Sequence, residues 1–485
     1  MSRYKRLISN TAILGVGTFA SKVLVFLLMP LYTSVLSTEE FGYADLIAQT
    51  ANLIIPLASV GICDALFRFT LDAEEGERKR IFGASVGVLT IGSAVLCAIA
   101  AVLCVAKIPN SEALPMIVGY VVAANFHSAF AHYLRAKGKT VLFAVQGIVN
   151  TALTIGLNIL FLVVFDMGAE GYVMSVVISD ALLAIGLFFV GRLWRELRFS
   201  RRREGEKSVV GSILKFSIPY IPTTMLWLIT SVSDRYIVNA YCGTANQGLY
   251  TAASKLPTLI LLVSGVFIEA WHFSSVKDAS AEERSSFFGN VFKNYMGIMF
   301  LGASVLIAGS KLFTRILLAD SYYSSWEFVP ILVVAMVFSA FSAFFGSVYF
   351  LEKKSLLSML TALSGAVINV ILNFLLIPRH GAMGAAVATM ISYMATYAIR
   401  AYDTAHYLRF DQHFIRVAVN TLALLAQCVV MIEAVPYWKY IQVGIVLFLL
   451  VFNGREIAKA LSSFIGGFFK KAKGKGAESE KTEKS

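Results

Sequence analysis

Long apolar runs separated by short polar segments dominate this chain from residue 10 to residue 452. Runs of this length cross a hydrocarbon core of about 30 Å when they are helical, so we predict fourteen transmembrane spans. The predicted spans cover residues 10–36, 41–69, 81–106, 113–134, 141–165, 171–191, 211–241, 247–273, 287–309, 326–351, 356–377, 381–402, 414–434 and 438–452. The predicted fold is an all-α polytopic membrane protein.

Internal repetition divides these spans into two halves. The matched segments are Leu157-Asn158, Gly168-Ala169-Glu170-Gly171 and Ile178-Ser179 with Leu372-Asn373, Gly381-Ala382-Met383-Gly384 and Ile391-Ser392, and Phe41-Gly42-Tyr43-Ala44 with Gly248-Leu249-Tyr250-Thr251. Because each half holds an even number of spans, the repeat is parallel, about an axis along the membrane normal. We predict six-helix lobes at 1–205 and 206–410, two additional helices at 411–453, and a largely disordered cytoplasmic tail at 454–485.

Composition supports the membrane class and orients the chain. Of the 485 residues, 57% are hydrophobic and 15% charged, which excludes a soluble globular protein. The net charge of +12 does not indicate nucleic-acid binding, because no soluble segment gathers the basic residues on one face. Nearly all of them fall instead on loops of one side, most densely at 192–207. This positive-inside bias predicts that both termini are cytoplasmic.

A charged residue in the middle of the first span is the strongest functional signal. Lys22 is far from both ends of that span, and a lysine at such a depth costs about 2.5 to 3.5 kcal/mol. It either faces a water-filled cavity that receives an anion, or pairs with a carboxylate on a neighbouring helix. Arg68, Arg235 and Lys255 come from the first two spans of each half. A cavity lined by these four cations suits a phosphate or pyrophosphate.

Other polar residues within the spans are candidates for supporting roles. His127 and Asn125 in the fourth span could bond sugar hydroxyls, or be satisfied structural groups. Asp180, Asp234 and Glu269 could pair with the cations or bind a coupling cation. Pro30, Pro56, Pro219, Pro222 and Pro257 lie within or near predicted helices and indicate kinks or gating points.

No catalytic motif is present in the sequence. The five cysteines are scattered, without C-x-x-C or histidines at ligand spacing, so we predict neither a metal site nor a disulfide framework, and we expect no cofactor. There is no P-loop, H-E-x-x-H or G-x-S-x-G motif. We therefore expect a transporter rather than an enzyme, driven by an ion gradient, the membrane potential or the substrate gradient.

Several motifs together resemble a known family. They are Asn10-Thr11, Lys22, Pro30-Leu31-Tyr32-Thr33, Phe41-Gly42-Tyr43, Lys215-Phe216-Ser217-Ile218-Pro219, Ser233-Asp234-Arg235, Gly248-Leu249-Tyr250 and the paired Gly-Ala-x-Gly helices. With them the chain resembles the Wzx-type polysaccharide flippases, bacterial members of the multidrug/oligosaccharidyl-lipid/polysaccharide exporter superfamily.

The resemblance implies two six-helix lobes plus two helices that move undecaprenyl-diphosphate-linked sugars to the outer leaflet of a bacterial cytoplasmic (inner) membrane by alternating access. Lys22, Arg68, Arg235 and Lys255 match the family's cationic cavity in kind. The implied partners are the polyprenyl-diphosphate-linked oligosaccharide, membrane lipid and polysaccharide polymerase or assembly proteins, and the chain is expected to act as a monomer.

Three alternatives remain. A lipid II flippase shares the cationic cavity and the two additional helices. A multidrug cation antiporter of the same fold would need an acidic first helix, whereas residues 10–36 carry Lys22 and no Asp or Glu. A membrane glycosyltransferase or polymerase would need a sizeable loop with catalytic carboxylates, whereas the longest interior loop, 192–207, is short and basic.

Overall fold

The structure, a computed structural model, describes residues 26–107, 111–198, 209–218, 220–274, 281–352 and 354–454. All regular secondary structure in these ranges is helical, which confirms the predicted all-α class. The first helices are α1 (Met29–Val35), α2 (Thr38–Ala58), α3 (Ile62–Asp72), α4 (Glu75–Val105), α5 (Leu114–Ala136), α6 (Thr140–Asn158), α7 (Gly168–Val190), α8 (Val209–Ser217) and α9 (Tyr220–Cys242). They are followed by α10 (Thr244–Lys255), α11 (Thr258–Ser274), α12 (Ala281–Ala308), α13 (Ser310–Leu317), α14 (Val329–Leu351), α15 (Ser355–Thr404), α16 (Phe414–Ile432) and α17 (Trp438–Gly454). A π-helical segment, Ile159–Val164, extends α6.

Eight helices in the described ranges are long and apolar enough to cross a membrane. They are Glu75–Val105, Ser111–Ala136, Thr140–Val164, Gly168–Val190, Glu282–Ala308, Val329–Tyr349, Leu356–Thr404 and Phe414–Ile432. The chain is a multi-pass membrane protein, as predicted. The count of fourteen spans stays a prediction.

Three predicted spans are each divided between two helices. The span 41–69 is divided between α2 and α3, and Pro56 lies in the last turn of α2. The span 247–273 divides between Lys255 and Thr258, on either side of Pro257. The span 211–241 divides between α8 and α9, where Pro219 lies outside the described residues. Proline removes a helical hydrogen bond and restricts the residue before it, which explains the break at Pro257 and agrees with the kink predicted at that proline.

The boundary between the predicted spans 356–377 and 381–402 is a kink inside α15 rather than a loop. Gly381 has φ 58° and ψ −144°, a backbone conformation that residues other than glycine rarely adopt. Pro378 precedes it by three residues. The paired glycine motif of the sequence therefore marks a sharp change of direction.

The helices form two compact units. The first comprises Met1–Ala252, Ile316–Ser324 and Ala366–Ala385. Its interior includes Phe82, Phe130 and Tyr133, packed with Ile62 and Leu66 of α3. The first unit also includes α9 and most of α10, which belong to the second predicted lobe. Within this unit, α2 of the first predicted lobe packs against α9. The lobe boundaries inferred from the repeat stay a prediction.

The second unit comprises Ala253–Arg315, Ser325–Gly365 and Ala386–Ser485. Its interior is rich in aromatic side chains, among which Phe292 contacts Phe344 and Phe345 with ring centroids 5.2 and 5.1 Å apart. Amide pairs join α16 to α17: Gln427 Nε2 donates to Gln442 Oε1 at 2.9 Å, and Asn453 Nδ2 donates to Asn420 Oδ1 at 2.8 Å. Such interhelical amide bonds hold helices together where apolar packing alone gives no specificity.

Candidate functional site

The predicted cations fall in different environments. Lys22 lies outside the described residues, so its partners stay a prediction. Arg68 on α3 is exposed, and Arg235 on α9 keeps 17% of its side chain accessible. Lys255 is the last residue of α10 and belongs to the second unit. The convergence of these four cations on one cavity stays a prediction.

Arg235 contacts a carboxylate from the other predicted lobe. Its Nε lies 3.4 Å from Oδ2 of Asp45 on α2, and the Asp45 side chain is 8% accessible. When two opposite charges are buried, their mutual attraction and further hydrogen bonds must offset the free energy of hydration that both lose. Arg235 is therefore a compensated cation in this conformation, and an incoming anion would compete with Asp45 for it.

Neutral donors complete the surroundings of the Asp45 carboxylate. Oδ2 accepts hydrogen bonds from Gln247 Nε2 at 3.0 Å and from Thr251 Oγ1 at 2.9 Å, both on α10. Oδ1 accepts from Gln49 Nε2 at 3.1 Å, one turn further along α2. The carboxylate thus binds side chains of α2, α9 and α10, and it ties the two predicted halves together.

Asp234 does not neutralise its neighbour by direct contact of side chains. Its Oδ1 accepts the backbone N–H of Arg235 at 2.9 Å, and its Oδ2 accepts the hydroxyl of Tyr250 at 2.7 Å. The two side chains therefore have different partners, as their adjacency in sequence predicts. Together, Asp45, Asp234 and Arg235 form a charged cluster with two carboxylates and one guanidinium.

A close helix crossing places this cluster. Gly42 of α2 and Gly248 of α10 face each other, and a Cβ on Gly248 would collide with the carbonyl oxygen of Thr38. Only glycine allows the two backbones to approach so closely. Asp45 lies about one turn from Gly42, and Thr251 about one turn from Gly248. The crossing therefore brings these two side chains into hydrogen-bonding distance.

The predicted first lobe contains a second polar cluster. Nδ1 of His127 lies 2.9 Å from Asp180 Oδ1, and Nε2 of His127 lies 2.6 Å from Gln146 Oε1. Asn150 Nδ2 donates to the same Asp180 oxygen at 3.1 Å, and Ser179 Oγ donates to Asn150 Oδ1 at 2.6 Å. The structure thus brings together His127 and Asp180, which the sequence placed in different roles. Both nitrogens of His127 have protein partners, so a sugar hydroxyl would have to displace one of them.

The remaining predicted residues are less informative. Asn125 is buried, donates weakly to the carbonyl oxygen of Ile55 at 3.4 Å, and has a buried Oδ1 without a partner among the described residues. Glu269 lies on α11, and its side chain is not described. The roles of both in substrate or ion binding stay predictions.

Several residues of these clusters were absent from the sequence-based site. Tyr250 and Thr251 were visible only as members of the repeated Gly248-Leu249-Tyr250-Thr251 motif, which could have indicated a helix contact, and Gln247 directly precedes that motif. Gln146 is neutral and gives no signal in a search for intramembrane charges. A polar residue on a helix can be assigned a role only when the helix it faces is known.

The chain matches a known protein family and is similar in sequence to a known membrane protein. The family described as "polysaccharide biosynthesis protein" matches residues 7–272, more than half of the chain. A protein of Methanocaldococcus jannaschii described as "uncharacterized membrane protein MJ1375" is 23% identical over 419 residues, which cover 81% of this chain and 96% of that protein.

Two solved structures show how the fold is related to known transporters. A structure described as "lipid II flippase MurJ, inward closed conformation" has a TM-score of 0.66 and 14% identity, and the match covers 93% of this chain and 99% of that one. An inward-facing multidrug resistance MATE family transporter of the MOP superfamily has a TM-score of 0.60 and 14% identity, over 79% and 95% of the two chains. At these identities the similarity establishes the fold alone, and that fold agrees with the predicted fold class.

Proposed function

Because this chain belongs to the family of polysaccharide biosynthesis proteins, we propose that it moves an undecaprenyl-diphosphate-linked oligosaccharide from the cytoplasmic to the outer leaflet. The protein acts in the cytoplasmic membrane, with both termini in the cytoplasm, as a monomer that supplies a polysaccharide polymerase or assembly proteins. Transport proceeds by alternating access, without an enzymatic step.

The buried Arg235–Asp45 pair is the observation that carries this proposal. A guanidinium in a predicted span, held by a carboxylate of another helix, is a cation that can exchange one anionic partner for another. The diphosphate of the substrate has the charge and the oxygen atoms to take the place of Asp45. Lys22, Arg68 and Lys255 supply further positive charge along the path, with His127 and Asn125 toward the sugar.

Binding of the diphosphate would also release the connection between the predicted halves. When Arg235 turns to a phosphate, the contact of its guanidinium with Asp45 is lost, while the hydrogen bonds of Asp45 to α10 remain, so the contact of α2 with α9 weakens. By the predicted topology, α2 begins at the outer side of the membrane. Substrate binding thereby favours opening toward the outer leaflet. Asp180, Asp234 and Glu269 are the candidates for ion coupling.

The experiment is flipping of a fluorescent undecaprenyl-diphosphate oligosaccharide in proteoliposomes that contain the full chain. Lys22→Ala is expected to lose flipping while Lys22→Arg keeps it. Because Arg235→Gln alone removes the guanidinium that compensates the Asp45 charge, the second test uses Asp45→Asn with Arg235→Gln, which leaves this pair neutral and is expected to lose flipping. The matched control is Arg315→Gln, at an exposed position of α13. Flipping at the wild-type rate by both Lys22→Ala and the double variant would overturn the diphosphate account.

Lipid II is the second candidate substrate. It is favoured by the fold similarity to a lipid II flippase, which extends over 93% of this chain. Both substrates carry a polyprenyl diphosphate, so the cationic residues serve either. Parallel assays with fluorescent lipid II and with the oligosaccharide lipid separate the two, because the preferred substrate is flipped faster at equal concentration. A multidrug cation antiporter is disfavoured by the lysine in the first span, and quaternary ammonium dyes serve as its test substrates.

A further inference from the structure

The cluster of His127 on α5, Gln146 on α6 and Asp180 on α7 does not contact the Arg235–Asp45 pair that carries the proposed function, in which Asp180 is one of three candidates for ion coupling. His127 and Asp180 each keep 12% of their side chains accessible, so they are largely withdrawn from water but not sealed. Placing an ionisable pair inside membrane helices costs free energy, so such a pair is a candidate functional site. The hydrogen-bond geometry of the His127–Asp180 pair indicates how many protons the pair holds.

Both ring nitrogens of His127 face oxygen atoms. Gln146 Oε1, 2.6 Å from Nε2, is an amide oxygen and can only accept a hydrogen bond. Asp180 Oδ1, 2.9 Å from Nδ1, accepts when the carboxylate is ionised. A neutral imidazole has one N–H and cannot donate to both. The arrangement therefore contains one proton more than a neutral histidine beside an ionised aspartate.

Neighbouring groups place that proton on the imidazole. Ser179 Oγ donates to Asn150 Oδ1 at 2.6 Å, which fixes the orientation of the Asn150 amide and points its Nδ2 at Asp180. Asp180 Oδ1 already accepts from Asn150 at 3.1 Å, so the oxygen is organised as an acceptor. The cluster thus matches an imidazolium beside a carboxylate, which together carry no net charge.

We propose that His127, Asp180 and Gln146 form a proton-binding site inside the first predicted lobe. In the arrangement seen, Nδ1–H donates to Asp180 and Nε2–H donates to Gln146 Oε1. When the proton leaves Nε2, the Gln146 amide turns over and its N–H donates to the lone pair on Nε2. Both ring nitrogens of His127 and Asp180 Oδ1 keep a partner in both states, whereas the net charge of the site changes from zero to minus one.

The net charge of the site depends on whether the proton is bound, so proton binding can favour one conformation of the protein over another. A net negative charge among apolar helices is costly, whereas the proton-loaded pair is neutral. Release of the proton is therefore favoured in a conformation that admits water to α5 and α7. We infer that proton exchange here drives the conformational cycle; this coupling step rests on the proposed function, whereas proton binding itself does not.

Other titratable groups surround the site. Tyr120 of α5 interacts electrostatically with Asp180 and also with Asp45 of α2. On α3, Cys63 Sγ contacts the carbonyl oxygen of Asn125 at 3.8 Å, Arg68 is exposed, and the side chain of Asp64 is not described. The charged residues of α4 lie in its first two turns, α6 has none, and α7 carries Glu170 near its start. Of these groups, His127 is the one that contacts Asp180 directly, and a histidine side chain is the type that changes its charge near neutral pH.

The first experiment tests proton binding without any substrate. The full chain is labelled with ¹⁵N-histidine in lipid nanodiscs, and the His127 signals are assigned by their loss in His127→Gln. We expect two protonated ring nitrogens at neutral pH, and loss of the Nε2 proton at a lower pH in Gln146→Met than in the wild type. The matched control is His132→Gln on the same helix, which leaves the His127 titration unchanged. A neutral His127 at neutral pH in the wild type would overturn the proposal.

The second experiment tests coupling. Flipping is followed in proteoliposomes with an imposed pH gradient, in wild type, His127→Gln, Asp180→Asn and His132→Gln. For one proton per cycle, a gradient of one pH unit shifts the steady-state ratio of lipid between the leaflets by up to about tenfold. We expect this shift in wild type and His132→Gln, and a ratio near one in the other two. A normal shift in His127→Gln would refute coupling at this site, whereas absence of any flipping by wild type would refute the proposed function and leave the titration result standing.

Discussion

Gly42 of α2 and Gly248 of α10 pack backbone against backbone, although they come from different predicted halves of the chain. The two glycines belong to the repeated motifs that first indicated the internal duplication. The repeat therefore produces a contact between its own equivalent segments. Asp45, Gln247 and Thr251 bond across the same crossing.

Adding a methyl group at this crossing is the most direct test of it. In Gly248→Ala, the new Cβ would collide with the carbonyl oxygen of Thr38, which is backbone and cannot turn away. We expect a loss of about 1 to 3 kcal/mol of stability. We also expect faster maleimide labelling of a cysteine at the fully buried Ala252, measured in a cysteine-free background. Gly265→Ala is the control, because a Cβ at Gly265 meets nothing within 4 Å; equal labelling of both variants would contradict the crossing.

The Asp45–Arg235 pair should behave as a coupled unit. Asp45→Asn leaves the largely buried Arg235 without its contacting carboxylate, and removal of one partner of a buried pair costs about 3 kcal/mol. The double variant with Arg235→Gln should lose less than the sum of the two single variants. Thermal unfolding of the four proteins gives this double-mutant cycle, and Asp166→Asn at an exposed position is the control. Additive losses would mean that the two charges do not interact.

Glu196, beyond the end of α7, makes stability depend on pH. It accepts hydrogen bonds from Lys137 Nζ at 2.8 Å and from Tyr133 at 3.0 Å. Burial alone would raise the pKa of Glu196, but these bonds and the charges of Lys137 and Lys79 outweigh it and lower the pKa. A lowered pKa in the folded state means that the contact stabilises fully above the unfolded value of about 4.3, and that this contribution is lost as the pH falls through the folded pKa.

We expect Glu196→Gln to cost about 1 kcal/mol at neutral pH, because solvent screens part of the interaction. The difference from wild type should shrink as the pH falls below about 4.3. Unfolding midpoints measured across this pH range give the comparison. The exposed Glu74→Gln serves as control, and a difference that stays constant with pH would rule out the ionic contribution.

Lys311 contacts α17 within the second unit. Its Nζ lies 4.1 Å from the ring centroid of Trp326 and 4.6 Å from that of Trp438. Burial lowers the pKa of Lys311, which Glu327 partly offsets. Lys311→Met keeps the length of the side chain and removes the charge, so we expect a loss of about 1 kcal/mol. Protease protection of α17 reports the effect, with Lys311→Arg as the variant that retains the contact; equal sensitivity of both variants would exclude a cation–π contribution.

Much of the fold follows from the sequence because a bilayer restricts the choice. Apolar runs of sufficient length must satisfy their backbone hydrogen bonds within helices, so the helical class and many helix positions are readable. Pro257 and Gly381 act locally on the backbone, and the interruptions fall at or beside them. Breaks within predicted spans are harder to read, because an apolar run gives the same signal whether one helix or two cover it.

The sequence by itself determined that this is a helical membrane protein with an internal repeat, and it identified Arg235, Asp234, His127 and Asp180 as polar residues within the spans. Only the tertiary structure decided their partners: Arg235 meets Asp45, Asp234 meets Tyr250, and His127 lies between Asp180 and Gln146. The reason is physical. Hydrophobicity and backbone preference act along the chain, whereas the partner of a charge depends on which helices cross and on which face each presents, and those are set by packing between distant residues.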